Sequence, residues 1–187
     1  MKIVFVSDIH GCYVRLKPVL DFFDSHNADI LCIGGDIINY GPRNGLPADG
    51  LDPNSIVEAL NSRSGKIVAV RGNCDSEVDQ MLLRFPILSD YAILVDDGIR
   101  FFITHGHKTP AGETFPWIKS DVIVSGHSHL WTLEEDNVHV VHLNTGSVTF
   151  PKGGNVPTFA YYENRELSIL DLDGHELKRL TVASTGK

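Results

Sequence analysis

Five short apolar runs, each closing within three residues on a side chain able to bind a metal, constrain this chain more than any other feature. Ile3 to Val6 leads to Asp8 and His10, Ile30 to Ile33 to Asp36, and Ile67 to Val70 to Asn73. Phe101 to Ile103 leads to His105, and Val122 to Val124 to His127 and then His129. Runs of about four β-branched and aromatic residues, without polar alternation, predict strands buried on both faces, the pattern of a largely parallel sheet covered by helices. In such sheets ligands bind beyond the carboxyl ends of the strands, so the runs aim seven polar groups at one pocket.

The chain has 187 residues and 42% apolar content, enough for one globular domain over 1–187 with a substantial core. Met1 to Val6 enter a strand at once and reach Asp8, too short a run for a signal segment or a membrane span. Cys12, Cys32 and Cys74 are odd in number and lack close pairing, which suits reduced thiols, so the expected location is the cytoplasm. A net charge of −8 and the lack of a basic run exclude a chain that wraps long nucleic acid. A small phosphorylated substrate is still allowed, because bound cations reverse the sign of the field inside a pocket.

Tyr13, Leu16, Leu20 and Phe23 recur at helical spacing after the first run, with the regular helix expected to begin near Pro18. The Gly- and Pro-rich loop from Asn39 to Asp52 leads into a helix over Pro53–Leu60, where Ile56, Val57 and Leu60 share a face. Ser76 to Asp79 reads as a capping box, followed by Val78, Met81, Leu82 and Phe85 at helical spacing until Pro86. Beyond Leu94 the chain is β-rich. Strands are predicted over Ile99–Thr104, Leu130–Glu134, Val138–Leu143, Phe159–Glu163, Leu167–Leu172 and Leu177–Val182, with turns at Asp97-Gly98, Asp136-Asn137, Asn164-Arg165 and Asp173-Gly174. Two mixed sheets packed face to face with helices outside, a four-layer α/β/β/α sandwich, accommodate both halves.

Taken singly, the polar clusters are ordinary. Asp8-Ile9-His10 more commonly decorates a solvated loop, and Gly35-Asp36 and Gly72-Asn73-Cys74-Asp75 are common turn chemistry. Gly126-His127-Ser128-His129 says more, because two imidazoles turned inward after a buried strand are costly unless something binds them. Their order is the persuasive part. Asp-x-His, Gly-Asp, Gly-Asn-x-Asp, a lone His after a strand and Gly-His-x-His together resemble the calcineurin-like metallophosphoesterases over the whole chain. More narrowly, Gly41 to Asn44, Arg71 to Leu82 and Pro151 to Asn155 resemble the small bacterial phosphodiesterases of the YfcE type.

That resemblance implies one metal held by Asp8, His10, Asp36 and His129 and a second held by Asp36, Asn73, His105 and His127, with Asp36 bridging. A shared carboxylate keeps two cations about 3.5–4 Å apart, where both polarise one phosphoryl group. Imidazole, carboxylate and amide ligands suit transition metals; the family tendency points to manganese, with iron, zinc, nickel and cobalt as alternatives. The implied reaction is hydrolysis of a small phosphodiester by in-line attack of a metal-bridging hydroxide, whose parent water has a pKa of roughly 7.

Asn73, Cys74 and Asp75 are the candidate catalytic residues. The free amide nitrogen of Asn73 is available to the phosphoryl oxygen that gains charge. Many members of the superfamily carry His where this chain has Cys74. A neutral thiol supplies neither a proton nor charge to a leaving group, which favours monoanionic diesters over dianionic monoesters; a small buried filler is the alternative reading of Cys74. Asp75 either orients a neighbouring ligand or caps the helix at Ser76. His107 faces the substrate or merely neighbours His105, whereas His26, His139, His142 and His175 read as surface or strand residues. Arg43 and Lys152 contact a substrate phosphate or shape a subunit contact, and Phe115 and Trp117, carried by the loop from Lys108 to Trp117, wall the pocket or pack beneath it. A phosphomonoesterase with the same metals and a non-catalytic protein-interaction scaffold are the alternatives, and homo-oligomerisation is open.

Overall fold

In the computed structural model, which describes residues 1–108 and 121–183, the opening run is strand β1 (Ile3–Val6), with every residue buried. Side chains alternate across a strand, so Ile3 and Phe5 enter one apolar core while Val4 and Val6 enter another. This double burial is why the run carries no polar residue. β1 pairs in parallel with β2 (Ile30–Ile33), and β2 with β3 (Ile67–Ala69). Its other edge takes the antiparallel strands β9 (Thr158–Glu163), β10 (Glu166–Asp171) and β11 (Glu176–Thr181), giving the order β11-β10-β9-β1-β2-β3.

The second sheet is also mixed. It runs β4 (Tyr91–Asp96), β5 (Ile99–Thr104), β6 (Val122–Ser125), β8 (Val141–Asn144) and β7 (Thr132–Glu135), with β5, β6 and β8 parallel. Ile3, Phe5 and Cys32 of the first sheet meet Phe101, Ile103, Val122 and Val124 of the second. Phe101 sits at this seam, its ring 5.8 Å from Phe5 and 4.9 Å, edge-on, from Tyr162. Helices α1 (Tyr13–Ser25) and α2 (Pro53–Asn61) cover the other face of the first sheet, burying Leu16, Val19, Phe23, Ile56 and Leu60 against Val4, Val6 and Leu31. The sandwich expected from the sequence is the one observed, and the parallel strands β1, β2, β5 and β6 bring their carboxyl ends to one edge.

Several local expectations need correction. The first helix begins at Tyr13, with Pro18 inside it. Proline lacks the amide that would bond the Val14 carbonyl, and Val14, 58% exposed, lies where water can take that role. The third helix, α3 (Glu77–Leu82), has the capping box between Ser76 and Asp79 but stops before Phe85. Its apolar residues point outward, with Met81 82% exposed, because the buried Asp79 carboxylate accepts from the Asn39 amide at 3.0 and 3.1 Å and turns the polar face inward. Leu83, Phe85 and Ile87 are buried from the chain that follows.

The edge strand β4 was not anticipated. It joins β5 through Asp97 and Gly98, whose φ values of 46° and 79° suit the tight two-residue hairpin. β7 and β8 begin later than expected, leaving Leu130 and Val138 exposed outside them. Among the described residues no helix is long and apolar enough to cross a membrane. Phe115 and Trp117 lie outside the described residues.

Candidate metal centre

The loops after β1 and β2 are laced together by backbone hydrogen bonds. Asp8 N–H donates to the Gly35 carbonyl at 3.1 Å, while Ile9 and His10 donate to the Asp36 carbonyl at 3.0 and 2.9 Å. Gly72 lies so close that a Cβ there would stand 2.1 Å from Asp36 Oδ1. Asp8, His10, Asp36, His127 and His129 all have left-handed backbones, with φ between 50° and 63°. Non-glycine residues visit that region uncommonly, and in clusters mainly where surrounding structure holds them for function.

Asp8, His10, Asp36, His105 and His129 are all buried. Each of three imidazoles is tied at Nδ1 to a backbone carbonyl: His10 to Asn39 at 2.8 Å, His105 to Gly34 at 2.7 Å and His129 to Phe150 at 2.8 Å. A carbonyl only accepts, so Nδ1 carries the proton and Nε2 is left to face the pocket, the arrangement that orients metal-binding histidines. His10 Nε2 lies 3.3 Å from His129 Nε2, 3.6 Å from Asp8 Oδ1 and 3.7 Å from Asp36 Oδ2. His105 Nε2 is 3.5 Å from Asp36 Oδ2 and 3.1 Å from Asn73 Oδ1. Asp8 Oδ1, sealed from water, takes no hydrogen bond among the described residues, although His129 Nε2 is 3.1 Å away.

This donor set fits divalent cations. Burial alone would raise the Asp8 carboxyl, but contact with the His10 and His129 imidazoles holds it below the usual carboxylate range. Burial opposes the charged form of His105 too, yet Asp36 and Asp8 push it up to about 9. Two buried carboxylates thus raise the proton affinity of His10 and His105, whose Nε2 atoms are where a divalent ion would displace protons.

Of the remaining candidates, His127 sets its ring edge-on to that of His105, 5.1 Å between centroids, and its backbone N–H donates to Asp8 Oδ2 at 2.9 Å. Asn73 has less freedom than expected, since its amide nitrogen donates to Cys74 Sγ at 3.2 Å and keeps one hydrogen for another partner. Cys74 is half-buried rather than a sealed filler, and its N–H donates to Asp36 Oδ1 at 2.8 Å. Burial and the Asp36 charge push its thiol up to about 12. Its Sγ lies within ligand reach of His10 and Asp36, a placement the sequence did not suggest. Asp75 does not cap α3. Its buried carboxylate instead accepts backbone N–H groups of Asp36, Ile37 and Gly72 at 2.7–2.9 Å, pinning the strand ends that carry Asp36 and Asn73.

Sequence reasoning passed over several supports. Ser7 Oγ donates to Asp8 Oδ2 at 2.7 Å, Ser147 Oγ to the Asp8 carbonyl at 2.7 Å, and the Asn144 amide to the Gly126 carbonyl at 2.7 Å. Only the isolated burial of Ser7 and Asn144 inside apolar strand ends hints at them. Asp36, Asn73, Cys74, His127 and His129 line a cavity of about 990 Å³ whose wall also includes Tyr40, Arg43, Asn44 and Lys152.

The sequence model of the calcineurin-like phosphoesterase superfamily domain matches residues 1–166. The chain is 43% identical to phosphodiesterase YfcE of Escherichia coli over 178 residues, 95% of each chain. It is 26% identical to phosphodiesterase MJ0936 of Methanocaldococcus jannaschii, across 76% of this chain and 82% of that one. The solved structure of the Escherichia coli phosphoesterase Yfce superposes with a TM-score of 0.92, covering 98% of this chain and all of that one at 42% identity. Vacuolar protein sorting 29 from Cryptosporidium parvum, at 17% identity and a TM-score of 0.62 over 96% and 97% of the two chains, shares the fold.

Proposed function

Because the chain belongs to the calcineurin-like phosphoesterase superfamily, we propose that it is a metal-dependent phosphodiesterase acting on a small phosphodiester. The observation that carries this reading is the tautomer-locked trio His10, His105 and His129, whose Nε2 atoms meet the buried Asp8 and Asp36 carboxylates in one cluster. In this reading Asp8, His10, Asp36 and His129 hold one ion, and Asp36, Asn73, His105 and His127 hold the second. Manganese is the proposed metal, and the cytoplasm the proposed location. Bound there, the ions would polarise a phosphoryl oxygen and acidify water.

The chain's own residues do the rest. Asp75 fixes the backbone that presents Asp36 and Asn73. The second amide hydrogen of Asn73 donates to a phosphoryl oxygen as it gains charge. Cys74 stays a neutral thiol, so no side chain at that position protonates the leaving group, which favours good leaving groups and monoanionic diesters over monoesters. The filled ligand positions favour this enzyme over an interaction scaffold of the same fold.

The test is hydrolysis of bis(p-nitrophenyl) phosphate by protein stripped with a chelator and then supplied with manganese. Activity that appears with manganese, and is lost in Asp36→Asn, is the expected result. A stripped protein that binds no manganese, or a loaded one that leaves the diester intact, would refute it.

A further inference from the structure

In a chain of net charge −8, most cations are neutralised locally. Arg15, Lys17, Arg63, Lys108, Arg165 and Arg179 each pair with an Asp or Glu side chain. Arg43 and Lys152 have no carboxylate partner among the described residues, and both stand on the wall of the cavity that holds the metal-ligand candidates. Arg43 is close enough for its charge to oppose protonation of His127.

Both side chains are exposed, but the backbones that carry them are tied to the site. The Arg43 loop is anchored at Asn39, whose carbonyl accepts from His10 Nδ1 and whose amide donates to Asp79. Within the loop, the Asn44 amide donates to the Tyr40 carbonyl at 2.8 Å. Gly41, at a φ of 72°, packs so closely on Cys74 that a Cβ would stand 2.8 Å from its sulfur. The Lys152 backbone N–H donates to the His129 carbonyl at 3.0 Å, and the Lys152 carbonyl accepts from Asn155 N–H at 3.1 Å. Two cations without a carboxylate partner among the described residues thus stand on loops tied to two metal-ligand candidates, one through the His10 imidazole and one through the His129 carbonyl.

A cavity of about 990 Å³ lies at the upper end of sites that enclose whole small molecules, far more than one phosphoryl group needs. Resting on the phosphodiesterase reading above, we infer that Arg43 and Lys152 form a second anion subsite, and that the preferred substrate is a phosphodiester carrying an additional phosphate group. The diester linkage faces the ligand cluster, and the additional phosphate accepts charge-assisted hydrogen bonds from the two cations.

A matched pair of chromogenic diesters isolates this subsite: thymidine 5′-(p-nitrophenyl phosphate) with and without a 3′-phosphate. The manganese-loaded protein should favour the 3′-phosphorylated compound about tenfold in kcat/KM, about 1.4 kcal/mol. Arg43→Ala and Lys152→Ala should each shrink that preference, the double variant should abolish it, and Arg43→Lys should retain most of it. Lys17→Ala, which removes a paired surface cation, should leave the ratio as it was. A wild-type ratio near one, or a ratio unmoved by the double variant with an intact thermal transition, overturns the subsite. Should the wild type hydrolyse neither compound nor bis(p-nitrophenyl) phosphate, the phosphodiesterase reading fails by itself. The subsite is then decided by calorimetry with thymidine 3′,5′-bisphosphate: about tenfold weaker binding in the double variant sustains it, and equal binding overturns it.

Discussion

Gly72→Ala is the smallest change that reaches the centre of the site. The added methyl would lie 2.1 Å from Asp36 Oδ1, 2.3 Å from the Asp36 backbone nitrogen and 2.8 Å from Asp36 Cγ. Ordinary contacts begin near about 3.5 Å, so one loop must retreat by about 1 Å or more. The crowded atoms include backbone, and the Asp75 carboxylate pins both sides by accepting from Gly72 and Asp36 N–H, so no side-chain rotation absorbs the clash. A displacement of about 1 Å at a reacting centre costs on the order of 10²-fold, about 2.7 kcal/mol of barrier. Overpacking costs about 1–3 kcal/mol of stability, a fall in Tm of roughly 2–12 °C for a chain of this length. The assay is kcat/KM on bis(p-nitrophenyl) phosphate with manganese, alongside metal content by mass spectrometry and calorimetric Tm. Gly65→Ala is the control, because a Cβ there meets nothing within 4 Å and its backbone lies outside the left-handed region. A Gly72→Ala protein with kcat/KM within threefold of wild type and full metal content would refute the reasoning.

Asp75→Asn puts an amide group among three backbone donors, and the resulting unpaired contact should cost about 1–3 kcal/mol, read as a lower urea midpoint at unchanged slope. An unaltered midpoint would show that the three N–H groups have other partners. Cys74→His adds a proton donor beside the leaving group and should raise the ratio of p-nitrophenyl phosphate to diester hydrolysis by roughly tenfold or more; a flat ratio would count against the thiol argument. Phe101→Ala empties the seam between the sheets and should destabilise the protein by about 3–5 kcal/mol, with a loss under 1 kcal/mol showing that the seam is not a packed core.

The parts of this molecule governed by burial were legible in the sequence. Ile3 to Val6 must be apolar throughout because both faces of β1 are covered, and the strand ends must then carry whatever the pocket uses. Asp8, His10, Asp36 and His105 accordingly converge where the runs pointed. Backbone partnerships were not legible. The carbonyls of Gly34, Asn39 and Phe150 orient three imidazoles, yet every residue has a carbonyl and none is marked by its side chain. The helix α3 misled for a related reason. Val78, Met81 and Leu82 have the spacing of a buried face, but the Asp79 contact with Asn39, distant in sequence, sets which side faces inward. β4 escaped because its exposed and half-buried residues from Tyr91 to Val95 are alike apolar, so no alternation announced an edge strand.

The left-handed backbone at Asp8, His10, Asp36, His127 and His129 sets the order in which such a pocket would decay once selection for hydrolysis lapses. Each of those positions costs on the order of 1 kcal/mol that glycine would recover, so drift rewards their replacement. His105 lies outside that left-handed set and gains nothing by change. A descendant reduced to holding other proteins should therefore still carry the histidine after β5, long after the other imidazoles and carboxylates have gone.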